Sequence, residues 1–490
     1  MSHGPRTDRA PADAGLRGPR RWCLVSGGVG GLAVAAVVAV ATGALGACSD
    51  ACCTFDELPI PLVVAASPAA GGLRLNASAP DANAPTFEMA LDTGSALTYV
   101  RQAPGERSQT VGQDFWIRSL TIAPKGDLPV RATLNGIDVL PIPLDPAGPP
   151  VVLGGAFLKN FSLEIHFAAP SVTFWSRQGA SDAFLSSAMF AVVHFDIFGG
   201  GEIMAESRPD FLGFTGPIDM PATRVLFRGC AAPAPFDPLP DTPMPVCAKR
   251  GDDVPGSPNA AAALATGADL ALMLSTGIGP LVLGRSAWNR VKASSTTPPA
   301  DPVDDGTPLS VPSLAAPITG VGWTHLSRLA LVDLESDAAV NPGPCAELGR
   351  ARRLEWLEVH QDACVQACDT DLRDPSKAQN AAGYIEVGPD QGILVAVLPD
   401  DAELLQSLRA EIRPEGPELD GLIGAATLAQ LDVELDYKNG PPRGIFACEP
   451  TTLPRAACRT SPRCPRLSNA GEVRSCFGLP PRNSPPTVCR

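Results

Sequence analysis

At 490 residues the chain has room for two or three domains, and 45% hydrophobic residues are enough to build a sizeable core, filled mainly by Val, Leu and Ala because aromatics make up only 5%. A net charge of -14 excludes nucleic acid as a partner and disfavours anionic lipid surfaces. The 47 Gly and 52 Pro exceed ordinary usage yet fall short of low-complexity disorder, which points to a turn-rich β protein.

Residues 1–22 carry Arg6, Arg9, Arg17, Arg20 and Arg21 against Asp8 and Asp13, and Cys23 to Ala47 has no charge. This pattern predicts an export segment over residues 1–47. Its end, Leu45-Gly46-Ala47-Cys48, is similar to the bacterial lipoprotein processing site, which implies lipidation at Cys48 and a place in the cell envelope. An uncleaved signal anchor is the alternative, since the run is long enough to cross a bilayer. The pair Arg20-Arg21 leaves a twin-arginine route open. Apart from Cys23 and Cys48, the 14 cysteines leave an even number, as expected of disulfides in an oxidising compartment. The five His are scattered and Cys364 to Cys368 lacks paired metal-ligand spacing, so neither metal nor cofactor is expected.

Ile60 to Ala66 and Leu73 to Leu75 read as a first hairpin. In Phe87 to Val100, an apolar strand runs into Asp92-Thr93-Gly94-Ser95 and back into apolar residues. A strand delivers one carboxylate to a sharp turn, Gly94 permits that turn, and Thr93 and Ser95 offer hydroxyls to hold it. Asp114 to Ala123 and Val130 to Leu140 supply further strands, and Val151 to Leu158 places an apolar-apolar-Gly signature at Gly154 before the alternating strand that ends at Phe167. The signature recurs at Leu422 to Leu428, where Gly424 matches Gly154, Glu434 matches Glu164 and Tyr437 matches Phe167. Upstream of this copy, Leu270 to Gly284 aligns without a gap on the first loop, with Ser275 in the slot of Asp92, Thr276 and Gly277 repeating Thr93 and Gly94, and Ile278 in the slot of Ser95.

Together these motifs resemble the pepsin and retropepsin families of aspartic peptidases over about residues 54–448. The resemblance implies an all-β fold with minor α content, bilobal, built from two retropepsin-like β-barrel lobes. The expected parts are a first lobe at 54–176, a connection at 177–221, a second lobe with insertions at 222–448 and a Cys/Pro-rich tail at 449–490. It implies that Asp92 is the catalytic-type acid, supported by Thr93, Gly94 and Ser95, with Ser275, Thr276 and Gly277 forming a degenerate second loop. Aspartic hydrolysis needs two carboxylates sharing a proton, one ionised and one protonated. Ser275 can take neither part, so the expectation is a pseudopeptidase whose cleft still binds extended peptide. The alternative is an active endopeptidase in which dimerisation or another residue supplies the second acid. A flap closing over substrate is expected from one of the hairpins between 114 and 140, although no Tyr occurs there.

In the second half, the expectations are a surface loop closed by Cys230 and Cys247 or else two unrelated bridges, and a polar loop without packing partners at Ser294 to Pro308. A strand is expected over His325 to Leu334, a short helix within Cys345 to Cys368, a strand over Gly392 to Leu398 and a capped helix over Asp400 to Glu411. The stretch Phe190 to Glu206, turning at Gly199 to Gly201, reads as a hairpin.

Overall fold

The computed structural model describes residues 23–27, 62–67, 72–78, 86–101, 116–122, 131–138, 140–142, 144–159, 161–167, 171–175, 190–204, 217–232, 267–295, 298–333, 343–349, 351, 383–389, 391–411, 418–429, 431–437, 442–448 and 458–460. These residues are mostly β, arranged in two large sheets and a two-stranded ribbon. Helix is confined to short pieces, of which Arg285–Ala293 and Glu403–Ala410 are the longest.

One arrangement occurs twice. In the first sheet, strand Thr86–Leu91 runs parallel to Val151–Leu153, which lies antiparallel to Tyr99–Arg101, itself parallel to Leu140–Ile142. In the second, Ala268–Ser275 runs parallel to Gly421–Gly424, which lies antiparallel to Leu281–Gly284, itself parallel to Ile393–Leu398. Strands Val151–Leu153 and Gly421–Gly424 are buried throughout, as expected of central strands covered on both faces. The glycine of the repeated signature has a steric cause. A β-carbon on Gly154 would lie 1.9 Å from the Leu97 carbonyl oxygen, and one on Gly424 would lie 2.2 Å from that of Pro280. Only Gly lets this strand pass so close to the loop it threads.

The two copies meet in a run of six strands. Ser162–His166 pairs antiparallel with Leu431–Asp436, flanked by Ser171–Trp175 and Leu62–Ser67 on one side and by Arg443–Cys448 and Phe190–His194 on the other. The register sets Glu164 opposite Glu434, so residues equivalent in the repeat face each other across a local two-fold. Beneath this seam one apolar cluster extends through both copies. It includes the rings of Phe157, Phe161 and Phe174, with centroids 5.3 to 6.4 Å apart, and those of Phe195, Phe227 and Phe446. Aromatic residues are scarce in the chain, and these cluster where the copies join.

Several expectations change. Phe190–His194 and Asp196–Phe198 do not fold back on Gly201–Met204. The first joins the six-stranded run and the second pairs with Arg224–Ala232, while Gly201–Met204 pairs with Pro217–Met220. The glycines Gly199 and Gly200, at φ of 86° and 95°, redirect the chain between these partners. Cys230 is bonded to Cys345. It is fully buried within its strand, which favours an internal partner over a surface loop; Cys247 lies outside the described residues.

The segment at 298–308 does pack: Val303 exchanges two backbone bonds with Trp323, and Trp323 Nε1 donates to the Thr307 carbonyl. The strand expected over His325 to Leu334 is two, Gly322–Leu326 and Arg328–Val332. Asp400 does not cap the helix that follows it. Its carboxylate accepts from Ser286 N and Oγ and so closes the start of helix Arg285–Ala293, where backbone N–H groups lack partners. In the 345–368 stretch the described helical residues are 345–349 and 351.

At the N-terminus Cys23–Gly27 pairs with Arg131–Asp138. The rest of the uncharged run, Cys48, and the tail apart from the strand Cys458–Thr460 lie outside the described residues. Among the described residues no helix is long and apolar enough to cross a membrane.

Two predictions follow from the seam and the disulfide. His166 Nδ1 lies 2.9 Å from Asp432 and Nε2 lies 3.0 Å from Glu164. Hydrogen bonds to Asp432 and then to Glu164 push its pKa from 6.5 up to about 10. A folded value above the unfolded one means that the imidazolium stabilises fully below about pH 6.5, and that this contribution disappears as pH rises through about 10. Urea unfolding across that window should therefore show falling stability in the native chain and a flatter profile in His166→Gln. The Cys230–Cys345 bond closes a loop spanning 115 positions. Its loss in Cys345→Ser should lower unfolding free energy by about 2–4 kcal/mol, read as a shifted urea midpoint.

Candidate active site

The expected site residues come together where the two sheets abut. Asp92 stands at the end of strand Thr86–Leu91, and Ser275 ends strand Ala268–Ser275. The loops that follow them interlock. Thr93 Oγ1 donates to the Leu274 carbonyl (3.1 Å) and accepts from Thr276 N (3.2 Å). Reciprocally, Thr276 Oγ1 donates to the Leu91 carbonyl (2.7 Å) and accepts from Thr93 N (3.2 Å). Both threonines are fully buried, so these bonds satisfy backbone groups that water cannot reach. A hydroxyl is needed at each position because the group must both donate and accept.

Asp92 is 2% exposed and its carboxylate is held from four directions. Oδ1 accepts from Gly94 N (2.9 Å), Ser275 Oγ (2.8 Å) and Gly277 N (3.2 Å), and Oδ2 accepts from Ser95 Oγ (2.7 Å). Two of the four donors thus come from the opposite loop. Ser275 occupies the mirror position of Asp92 and acts there as a hydrogen-bond donor to it. Among the described residues no second carboxylate bonds to Asp92. Asp269 accepts from Cys345 N at the other end of its strand, roughly 20 Å from Ser275 at the usual rise per residue. Ile278, in the slot of Ser95, is buried in an apolar cluster with Met273, Leu309 and Val311.

The surroundings include two buried cations that motif reading alone did not assign. Arg224 Nε donates to the Gly94 carbonyl (3.0 Å), and the same guanidinium meets the Glu411 carboxylate, so it braces the Asp92 loop from outside. Its neighbour Thr223 donates to the Ala96 carbonyl (3.4 Å). Arg74 is 6% exposed, with one hydrogen bond from its guanidinium to the Leu73 carbonyl (3.2 Å). Burial pulls its pKa down, opposed by the negative charge of Asp92 and then Glu88. Each is the first residue of a strand, Arg74–Ser78 and Arg224–Ala232, where a sequence pattern gives no sign of burial.

In the stretch where a flap is expected, Trp116–Ile122 and Arg131–Asp138 form an antiparallel pair, and the residues that join them lie outside the described residues. A different segment lies against the site. A β-carbon on Gly277 would lie 2.5 Å from Asp92 Cγ and 2.7 Å from Cγ of Pro312, placing that proline ring beside the carboxyl group.

No family model matches the chain, and no curated protein matches it. Among solved structures, an aspartic proteinase from Irpex lacteus is similar over 81% of this chain and 100% of that one, with 10% identity and a TM-score of 0.32. So loose a likeness bears on neither activity nor ligand.

The interlock gives a direct expectation. Thr276→Val keeps the shape but deprives Thr93 N and the Leu91 carbonyl of this partner. It should lower unfolding free energy by about 2–4 kcal/mol, read from denaturant unfolding.

Proposed function

We propose that this chain is an exported pseudopeptidase, in which two aspartic-peptidase-like lobes form a cleft that binds extended peptide without cleaving it. One observation carries the reading: the position facing Asp92 holds Ser275, whose hydroxyl donates to the carboxylate at 2.8 Å. Peptide hydrolysis by this chemistry requires one ionised carboxylate to activate water and a second, protonated, to polarise the scissile carbonyl. A serine hydroxyl bonded to Asp92 does neither. Three of the four donors around Asp92 converge on Oδ1, and Oδ2, with Ser95 Oγ as its donor, is the oxygen that keeps an acceptor site. The opposing loop also fills the face through which a second chain would have to offer an acid.

Peptide binding in this reading uses the edges of the site's strands and loops, where main-chain bonds give affinity and side-chain pockets give selectivity. The acidic net charge disfavours acidic ligands at long range, while Arg74 provides one buried positive charge close to Asp92. The N-terminal run exports the chain; its removal ahead of Cys48 takes with it the Cys23–Gly27 strand paired to Arg131–Asp138, and Cys48, as the lipidated residue, tethers the cleft in the bacterial cell envelope.

The test is incubation of the purified chain and its Asp92→Asn variant with a mixed peptide library between about pH 3 and 7, the range in which a carboxylate pair would work. Mass spectrometry should show no cleavage above background for either protein, and titration should show weak but saturable peptide binding. Cleavage lost on Asp92→Asn would overturn the proposal in favour of an active endopeptidase with a recruited second acid. Absence of both cleavage and binding would overturn the peptide-binding part.

A further inference from the structure

The segment Leu309 to Ile318, LSVPSLAAPI, lies between helix Arg285–Ala293 and strand Gly322–Leu326 and returns to its starting point. Its base is closed by two backbone bonds between Leu309 and Ile318 (2.8 and 2.9 Å). Within it, Leu314 N donates to the Val311 carbonyl (3.1 Å), forming a turn with Pro312 at its first corner, where the fixed φ of proline suits the geometry. That corner puts the Pro312 ring against Gly277 beside the Asp92 carboxyl. Beyond the corner, the Leu314 carbonyl accepts from Asp145 N (3.0 Å), in the turn that leads into Val151–Leu153 of the first sheet.

We infer that Leu309–Ile318 is a strap lying across the Asp92–Ser275 site, an intramolecular occupant of the face a peptide would use, which must lift before a ligand can reach Asp92. The inference rests on the peptide-binding reading for its consequence, though not for its geometry. The strap touches both sides of the site, Gly277 through Pro312 and the Asp145 turn through Leu314. Val311 and Pro312 are buried, whereas Ala315, Ala316 and Pro317 are exposed, so one face is seated and the other faces solvent.

The attachment is graded. At the base, Leu309 and Val311 lie in the same apolar cluster as Ile278 and Met273, with Leu314 and Ile318 packed against it. At the far end the polar tie is the Asp145–Leu314 backbone bond. Pro312 has no N–H to add another. A base whose residues are buried in the cluster, and a tip held by the half-buried Leu314 side chain and a neutral backbone hydrogen bond, is the distribution expected of a segment that opens locally while the fold stays intact. Ile278 connects the strap to the lost chemistry: the position that would carry a supporting hydroxyl supplies apolar surface to the cluster in which the strap is seated.

The experiment replaces residues 310–317 with Asn-Gly, a two-residue turn that suits a closed antiparallel rung. Carbodiimide coupling to glycinamide, located by mass spectrometry, then reports access to Asp92 in the full chain with and without the strap. Library peptides are titrated against both proteins. Labelling of Asp92 should rise at least about tenfold on trimming, and peptide affinity should rise by a similar factor because the binding-competent fraction is no longer limited by strap opening. Unchanged labelling, high or low in both proteins, overturns the strap whatever the peptides do. Labelling that rises without peptide binding to either protein upholds the strap and removes the peptide-binding reading. Should the trimmed chain fail to fold, Pro312→Gly removes the ring over Gly277 while keeping the Leu309–Ile318 rung; it should raise Asp92 labelling in the same direction, and equal labelling with the native chain overturns the proposal.

Discussion

The four hydrogen bonds exchanged by Thr93 and Thr276 hold the two loops back to back, and the geometry of the site depends on them. Each threonine hydroxyl bonds to backbone of the opposite loop, in a place where both side chains are fully buried. The interlock therefore fixes which residue faces Asp92 without depending on what that residue is. Residue 275 could change without loosening the join, because the bonds that make the join belong to the next residue. Its identity does bear on the polar satisfaction of Asp92: Ser275 Oγ and Gly277 N both turn to its Oδ1, so the carboxylate draws partners from the opposite loop.

The six-stranded seam carries the same two-fold logic at lower cost in specificity. Ser162 donates to Asp436 at one end and His166 meets Asp432 at the other, and these two pairs are equivalents under the repeat. Between them Glu164 and Glu434 stand directly opposite, an arrangement that like charges disfavour. Glu164 is accommodated by Trp175 Nε1 and by His166, whose raised pKa keeps a positive charge next to the acids over the ordinary pH range. Polar pairing of this kind, matched residue to residue, sets the register of a seam that apolar packing alone would leave free to slip.

The two loops differ in polarity, and the apolar one is also the more heavily packed. Where the Asp92 loop has Ser95 bonded to its carboxylate, the Ser275 loop has Ile278 buried among Met273, Leu309 and Val311. The same cluster holds the base of the segment whose Pro312 ring lies beside Asp92. A hydroxyl has use there only if an acid needs support; without the acid, apolar burial contributes more to stability than a hydroxyl with no partner.

The sequence by itself determined what depends on local chemistry and on repetition. The acid at 92, its serine counterpart at 275, the paired threonines and the threading glycines at 154 and 424 were all legible, because each sits in a short motif whose backbone geometry admits few residues. Strand positions followed from apolar runs for the same reason. Only the tertiary structure decided which groups meet across distance: Cys230 with Cys345, Asp400 with the start of a helix more than a hundred positions earlier, Arg224 with the Gly94 carbonyl, and Pro312 with Gly277. The turn at Gly199 misled a local reading because its flanking strands find partners in other parts of the molecule, and strand pairing is set by which edge is free and which face is apolar. Those are properties of the assembled sheets, and no short stretch of chain contains them.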